Sequence, residues 1–168
     1  MAKAPAYTVI KDTREQLGYT FEKFHGKYFS CNGMIEKKLD TGDYSILGME
    51  DKLCIERKAS VSELAGNLGK DKKRFISEIE RMENFPFKFI VLEFTLEDVM
   101  KFPEGSDIPE SKWSKIKITN KYILKMLVEF QMYYGVHVLF CGNRKNAKLV
   151  VNSILKRVNE YYTIGRKE

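Results

Sequence analysis

Short apolar runs separated by polar turns dominate the N-terminal part of the chain. β-Branched and aromatic residues fill four of these runs, which predict β-strands: YTVIKD, MIEKKL, DYSIL and KLCIERK. The polar turns between the last three runs favour an antiparallel meander. The stretch from Arg14 to Gly33 mixes turn residues with aromatics and predicts no element.

The hydrophobic period then changes from that of strands to that of a helix. Apolar residues recur at helical spacing between Ser60 and Met82, at Leu64, Leu68, Phe75, Ile79 and Met82. Ser60 and Glu63 have the spacing of a capping box. The glycines of GNLGKD predict a break in the middle of this helical region.

The C-terminal half alternates strands and helices. FKFIVLEF is a nearly continuous apolar run, typical of a strand in a covered sheet. TLEDVMKF predicts a short helix capped by Thr95, and a loop follows. An amphipathic helix over Thr119–Tyr134, a strand VHVLFC and a final helix over Arg144–Tyr162 complete the pattern. We therefore predict an α/β fold with a mixed central β-sheet flanked by helices, in one domain over residues 1–168.

Composition narrows the class of protein. The 168 residues are 43% hydrophobic and carry a formal net charge of +6, which suits one domain with a core and a polyanionic partner. The three cysteines are scattered, as in a reduced cytosolic protein, and two histidines are too few for a His-based zinc motif. The chain shows no secretory signal and no long apolar segment, so we expect no membrane association.

Three charged residues stand at the ends of predicted strands. Side chains two residues apart on a strand share a face, so Glu56 and Lys58 point together, while Ile55 and Arg57 point the other way. Asp43 begins a neighbouring strand and can reach the same edge. Two close carboxylates repel unless a cation lies between them or one is protonated, and Mg²⁺ accepts such oxygens. Lys58 could serve a metal-bound water or stabilise charge on a phosphate, which is the chemistry of phosphodiester hydrolysis. The alternative is an exposed structural salt bridge between Glu56 and Lys58.

Further motifs surround these three residues, and their order along the chain resembles that of a known protein family. The order of motifs is Asp12-x-Arg14-Glu15, then Gly42-Asp43-Tyr44, then Ile55-Glu56-Arg57-Lys58, followed by Arg74-Phe75 and Glu78. This order resembles the nuclease domain of the XPF-type structure-specific endonucleases, a branch of the PD-(D/E)XK restriction-endonuclease-like superfamily. The likeness extends from VIKDTRE to the last helix.

The resemblance implies roles for individual residues. Asp43 and Glu56 would be metal ligands together with the carbonyl of Arg57, and Asp12 would lie at or just behind the metal. Lys58 would act on the attacking water, and Arg14 and Glu15 would support the catalytic site. The implied cofactor is Mg²⁺, with Mn²⁺ able to substitute.

The chain departs from the family pattern in two places. The family usually has an aspartate in the first helical turn after the ERK motif, where this chain has Ser62. The chain ends at YYTIGRKE, so we expect no helix-hairpin-helix module. Substrate choice would then come from the nuclease domain, a partner or a second copy. A nuclease of this size suits the cytoplasm of a prokaryote or of a phage-infected cell, or the nucleus if the protein is eukaryotic.

DNA, branched or flapped, is the implied partner. Two basic clusters are candidate phosphate contacts, namely Lys70, Lys72, Lys73 and Arg74, and Lys112, Lys115 and Lys117. Trp113 could stack on a base or pack on the domain. The two C-terminal helices are rich in large apolar residues, which predicts a homodimer through them: Ile123, Met126, Leu127, Phe130, Tyr133, Ile154, Leu155 and Tyr161.

The leading hypothesis is a metal-dependent DNA endonuclease of recombination, repair or replication. The alternative is a catalytically silent DNA-binding or dimerisation scaffold of the same fold. Silent relatives typically lose the ERK motif or the aspartate of the GDY motif, and both are present here. A basic α/β protein with a purely structural charged triplet is the third interpretation.

Overall fold

The fold is built on seven strands and five α-helices. The computed structural model describes residues 3–165. The strands are β1 (Tyr7–Lys11), β2 (Lys23–His25), β3 (Ser30–Glu36), β4 (Tyr44–Ile46), β5 (Leu53–Lys58), β6 (Phe87–Leu92) and β7 (His137–Phe140). The helices are α1 (Val61–Leu68), α2 (Lys72–Met82), α3 (Leu96–Lys101), α4 (Asn120–Tyr134) and α5 (Arg144–Ile164), with a 3-10 helix at Glu110–Lys115.

All seven strands form one mixed sheet in the order β2-β3-β1-β4-β5-β6-β7. The predicted α/β class with a mixed, helix-flanked sheet is confirmed. The predicted meander is confirmed for β4 and β5, which pair antiparallel, and is wrong for β3 and β4, because β1 lies between them, parallel to β3 and antiparallel to β4. Val9 and Ile10 of β1 are fully buried, so this strand belongs inside the sheet. The long segment between β1 and β3 provides the crossover that parallel pairing requires.

The strand β5 is buried along its whole length, and its two faces meet different helices. Cys54 packs in a core with residues of α1, α2 and α4, whereas Ile55 packs in a second core with residues of α5. Side chains continue to alternate between the two faces of the sheet in the charged part of β5, after its apolar residues. Glu56 and Lys58 share the face of Cys54, and Arg57 shares the face of Ile55.

The helical region after β5 breaks where the glycines predict. Helix α1 ends at Leu68, with Gly69 as its C-cap, and α2 starts at Lys72. Ser60 caps α1 by accepting a hydrogen bond from the backbone N–H of Glu63. The Glu63 carboxylate accepts from the N–H of Ala59 instead of Ser60, so the predicted capping box forms only in half.

Helix α5 covers the other face of the sheet. Asn143 caps its N-terminus, and the buried side chains of Ala147, Val151 and Leu155 form its inward stripe. Among residues 3–165, none of the helices has both the length and the apolar character needed to cross a membrane.

Candidate active site

A tight turn brings Asp43 against the end of β5. The backbone N–H of Asp43 donates to the carbonyl of Ile55 (2.8 Å), and Asp43 Oδ2 accepts from the N–H of Arg57 (2.7 Å). Gly42 makes this approach possible with φ of +80°, and a Cβ there would lie 2.6 Å from Cys54 Sγ. The glycine therefore sets the position of the carboxylate.

Glu56 and Lys58 form a buried pair. Lys58 Nζ lies 2.6 Å from Glu56 Oε1, and the side chains are only 7% and 5% exposed for lysine and glutamate respectively. The ammonium also lies 4.7 Å from the centre of the Phe75 ring. Because the pair is buried, it is not the exposed salt bridge considered as an alternative. Glu56 Oε2 is buried and has no hydrogen-bond partner, so half of this carboxylate is unsatisfied.

The carboxylates of the site hold protons more tightly than usual. Burial raises the pKa of Asp43 well above its ordinary value, and the charge of Glu56 raises it further. Burial likewise raises the pKa of Glu56, although Lys58 opposes the rise. Burial acts to lower the pKa of Lys58, but Glu56 outweighs it and the net shift is upward. Burial is the main cause of both raised carboxyl pKa values, so the ionised forms of Asp43 and Glu56 are costly here unless a cation offsets them.

The donor set fits a hard divalent cation. No group of three or more His, Cys, Asp and Glu side chains within residues 3–165 is arranged to enclose a metal ion. Mg²⁺, however, is commonly held by one or two carboxylates, with waters completing its shell. Asp43 and Glu56 supply two carboxylates that repel each other, and Glu56 Oε2 is a buried oxygen without a partner.

Asp12 lies directly behind Asp43 and is fully engaged with the protein. Its N–H donates to the carbonyl of Asp43 (2.8 Å). Its Oδ1 accepts from Arg14 Nε (2.6 Å) and its Oδ2 from the N–H of Leu39 (2.6 Å). Burial acts against ionisation, but these hydrogen bonds outweigh it and lower the pKa of Asp12. Both of its carboxylate oxygens are thus already hydrogen-bonded within the protein.

Most of the predicted catalytic residues line one open cleft of about 480 Å³; Glu56 is not part of the lining and lies against Lys58, which is. Asp43 and Lys58 form part of its wall, and Arg14 and Glu15 line it from the segment after β1. Helix α2 closes the far side with Arg74, Phe75, Glu78 and Arg81. The cleft is wide enough for a phosphodiester group and joins residues from distant parts of the sequence.

A second charged cluster lies on the opposite face of β5, and only part of it follows from the sequence motifs. The Arg57 guanidinium donates to both oxygens of Glu93 (2.7 and 3.1 Å) and lies 3.4 Å from Glu15. Tyr19 donates its hydroxyl to Glu93 (2.6 Å), and Arg144 lies 3.6 Å from Glu93. The sequence analysis missed Glu93. This residue directly follows β6, an apolar strand parallel to β5, just as Glu56 directly follows the apolar run KLCI, and that position could have identified it.

The predicted DNA-binding lysines are exposed, and the first cluster adjoins the cleft through Arg74. Arg74 lines the cleft and a neighbouring shallow pocket with Lys70 and Lys73. Lys72 turns toward the ring of Tyr122, with Nζ 5.4 Å from its centre. The second cluster lies on and after the 3-10 helix, at Lys112, Lys115 and Lys117. Trp113 beside it is half-buried and donates its indole N–H to the carbonyl of Ile108 (2.9 Å), so it packs on the domain.

Most of the apolar residues that predict a dimer belong to the core. The buried members are Ile123, Met126, Leu127, Phe130 and Leu155. The large number of apolar residues on these helices is therefore explained by the core and does not by itself indicate a dimer. Tyr133 and Tyr161 are 64% and 46% exposed, and Met132 is 69% exposed. The dimer remains a prediction that rests on these exposed residues.

Comparison with known proteins places this geometry in a family. The family model of the ERCC4 domain matches residues 12–154. The chain belongs to the ERCC4-domain family. The match confirms the resemblance to XPF-type nucleases, a family generally dependent on divalent metal ions.

Solved structures support the same fold. The chain is similar to XPF from Aeropyrum pernix, with a TM-score of 0.58 at 20% identity, over 90% of this chain and 60% of that one. It is also similar to the same XPF in complex with DNA, with a TM-score of 0.58 at 19% identity, over 92% of this chain and 66% of that one. The ERCC4-domain chain thus spans less than two thirds of the XPF chains that it resembles. No curated protein matches it significantly in sequence.

Proposed function

We propose that this ERCC4-domain protein is a divalent-metal-dependent DNA endonuclease that hydrolyses phosphodiester bonds. The observation that carries the proposal is the pair of Asp43 and Glu56, a half-buried and a fully buried carboxylate of raised pKa beside Lys58, with an unsatisfied oxygen on Glu56. Such an arrangement is costly for a protein unless a cation is bound there in the working state. Family membership and the open cleft support the same activity.

Each residue of the cleft has a distinct part in this proposal. Asp43 and Glu56 would hold Mg²⁺ or Mn²⁺, with the carbonyl of Arg57 as a third candidate. The bound ion would supply Lewis-acid activation of water and phosphate. Lys58 would orient the attacking water or stabilise charge that develops on the phosphate. Asp12 would position Asp43 through its backbone hydrogen bond.

Two arginines at the cleft wall suit contact with the scissile phosphate. Arg14 is held through its Nε by Asp12, and its side chain is 60% exposed. Arg74 of α2 is 79% exposed and lies at the opposite wall. A guanidinium binds phosphate through paired N–H donors, so the two side chains could hold the strand across the site.

We further propose that the substrate is branched or flapped DNA and that the protein acts as a homodimer. The family resemblance and the exposed residues Met132, Tyr133 and Tyr161 support these two points. Light scattering at micromolar concentration should give the mass of two chains, and Met132→Glu should give the mass of one. A wild-type particle with the mass of one chain would contradict the dimer.

A nicking assay tests the activity. Supercoiled plasmid and a flapped duplex should be cut in Mg²⁺ or Mn²⁺, and not in EDTA. Ca²⁺ should support binding with little cleavage, because it prefers looser coordination and activates water poorly. Glu56→Gln should lose cleavage, whereas Glu97→Gln, a change at an exposed residue of α3, should retain it. Cleavage in EDTA would exclude the metal mechanism, and an intact fold with no cleavage in any metal would favour the silent scaffold.

A further inference from the structure

A groove of about 500 Å³ lies between the edge strand β2 and the N-terminal half of α5, outside the cleft. Aromatic side chains line one wall of this groove, which we call the edge groove: Phe21, Phe24 and Phe29. Helix α5 forms the other wall with Lys145, Lys148, Leu149 and Asn152. Their spacing of three or four residues places them on one side of the helix.

The aromatic wall is open to solvent where it matters for binding. Phe24 is 49% exposed, and its ring centre lies 4.8 Å from that of Phe29 at an angle of 32°. All three residues of β2 are exposed, and among the strands of residues 3–165 β2 pairs with β3 alone. The ring of Phe24 therefore offers a free face that the core does not use.

The lysines of the edge groove give it a positive charge. Lys148 Nζ lies 5.9 Å from the centre of the Phe21 ring. Lys156, which is not part of the groove lining, has its Nζ 4.6 Å from the centre of the Phe29 ring. Within the part of the chain that the structure describes, neither of these lysines nor Lys145 forms an ion pair, and Glu22 is the one acidic residue that lines the groove. Lysines beside exposed rings are the features that bind a single strand, since phosphates need the charge and bases the rings.

One segment of the chain connects the edge groove to the cleft. Glu15 and Leu17 line the cleft, and the same segment reaches the groove at Thr20 and Phe21. Arg144, one residue before Lys145, fixes it by donating to the carbonyls of Leu17 (2.7 Å) and Gly18 (2.8 Å). The cleft and the edge groove are therefore adjacent along the segment from Glu15 to Phe21.

We propose that the edge groove binds an unpaired strand of the nucleic acid, with a base stacked on Phe24 and phosphates on Lys145 and Lys148. The link to cleavage rests on the proposed endonuclease function, but the binding itself does not. Thus the groove would select substrates that carry a single-stranded arm.

Binding of a labelled oligothymidylate without metal tests the groove. Phe24→Ala should weaken binding roughly tenfold, the scale of one lost base stack, and Phe24→Leu should weaken it similarly although it keeps an apolar side chain. Lys148→Gln should lower the salt dependence by about 0.7 in the log–log slope, as for one phosphate contact. Met100→Ala and Lys101→Gln, matched changes on α3, should bind like the wild type. Equal binding by all variants would overturn the proposal.

A tryptophan introduced into the aromatic wall gives a direct readout. The Phe24→Trp variant should retain affinity, and its added fluorescence should be quenched by the oligothymidylate, whereas the signal of Trp113 in the wild type should change little. If the added fluorescence of this variant stayed unquenched at saturation, bases would not stack there. A change of Phe24→Ala from dimer to monomer in light scattering, with unchanged oligonucleotide binding, would assign the groove to a second copy and also overturn the proposal.

Cleavage distinguishes this inference from the proposed function. If the wild type cuts flapped DNA and the groove variants cut and bind it equally well, the groove proposal fails and the endonuclease stands. If no metal supports cleavage but Phe24→Ala still loses oligothymidylate, the endonuclease fails and the groove stands.

Discussion

Both faces of β5 carry acidic and basic side chains, but the charges are fully paired on one face and incompletely paired on the other. On one face Arg57 is matched by Glu93 in a two-pronged ion pair, with Glu15, Tyr19 and Arg144 around them. Every charge there has a partner of opposite sign. On the other face one ammonium, Lys58, stands against Glu56 and the nearby Asp43, and an oxygen of Glu56 has no partner.

The difference separates structural from functional charge. A completed network fixes the strand end and the segment after β1, and it requires nothing from outside. An incomplete network is tolerated only where the surrounding fold is stable, and such groups are candidates for a functional site. One face of β5 therefore stabilises the structure around the cleft, and the other face carries a carboxylate oxygen, Glu56 Oε2, that has no hydrogen-bond partner.

The largest expected effect is on cleavage, on the unfinished face. Lys58→Ala should slow the cleavage step roughly 10³-fold, the scale of a lost acid–base or charge-stabilising group. DNA affinity should stay nearly unchanged, because the ammonium is buried below the cleft surface. Single-turnover cleavage and a binding titration in Ca²⁺ measure the two. Normal single-turnover cleavage with a large loss of affinity would make Lys58 a phosphate anchor instead.

The next effect is on stability, on the completed face. Glu93→Gln should destabilise the protein by about 3 kcal/mol, because the buried Arg57 charge loses its main partner. Urea unfolding measures the change, and Glu97→Gln at an exposed ion pair should cost less than about 1 kcal/mol. At a temperature where the variant is folded, cleavage should persist. A loss of cleavage without loss of stability would mean that Glu93 belongs to the catalytic face.

A smaller stability change of opposite sign is expected at Asp43. Asp43→Asn should leave the metal-free protein as stable or more stable by about 1 kcal/mol, the scale of one pKa unit of carboxylate repulsion. An asparagine oxygen can still accept from the N–H of Arg57. The variant should lose most of the stabilisation by Mg²⁺, since binding to the folded form is what stabilises it. Melting curves in EDTA and Mg²⁺ would refute this if the variant were clearly less stable in EDTA with an unchanged response to Mg²⁺.

The smallest expected effect is the pH dependence of the stability difference between Asp43→Asn and the wild type. Because the pKa of Asp43 is raised in the folded protein, the folded state holds this proton more tightly than the unfolded chain. The cost of its charge is absent below the ordinary aspartate range and appears as pH rises through the raised pKa. The stability gap between Asp43→Asn and the wild type in EDTA should therefore close on acidification. A gap that widens toward low pH would show that Asp43 is better stabilised as the anion.

Local patterns predicted the elements of this fold well, and pairing of distant strands less well. The helix break before Lys72 and the strand FKFIVLEF follow from glycines and apolar runs, which act over a few residues. The place of β1 between β3 and β4 depends on which strand can bury both faces, and no local motif states it. The strand β2 was missed because its three exposed residues carry no burial pattern.

The candidate site shows the same division. The side shared by Glu56 and Lys58 follows from strand alternation, and the structure brings the two side chains into contact. The engagement of Asp12 by Leu39 depends on a tertiary approach between residues that are far apart in sequence. The edge groove was also missed. Its aromatic residues lie in the segment for which the sequence predicted no element, and its lysines lie on α5, where the sequence analysis considered only the apolar residues.

The turn at Gly42 has a consequence for how the protein tolerates random mutation. Its φ of +80° and the 2.6 Å approach to Cys54 Sγ and 3.1 Å approach to the Ile55 carbonyl exclude any side chain. A library selected only for folded protein should therefore accept several residues at Asp43 and almost none at Gly42. Selection for activity would restrict both, so the aspartate would be kept by its chemistry and the glycine by its shape.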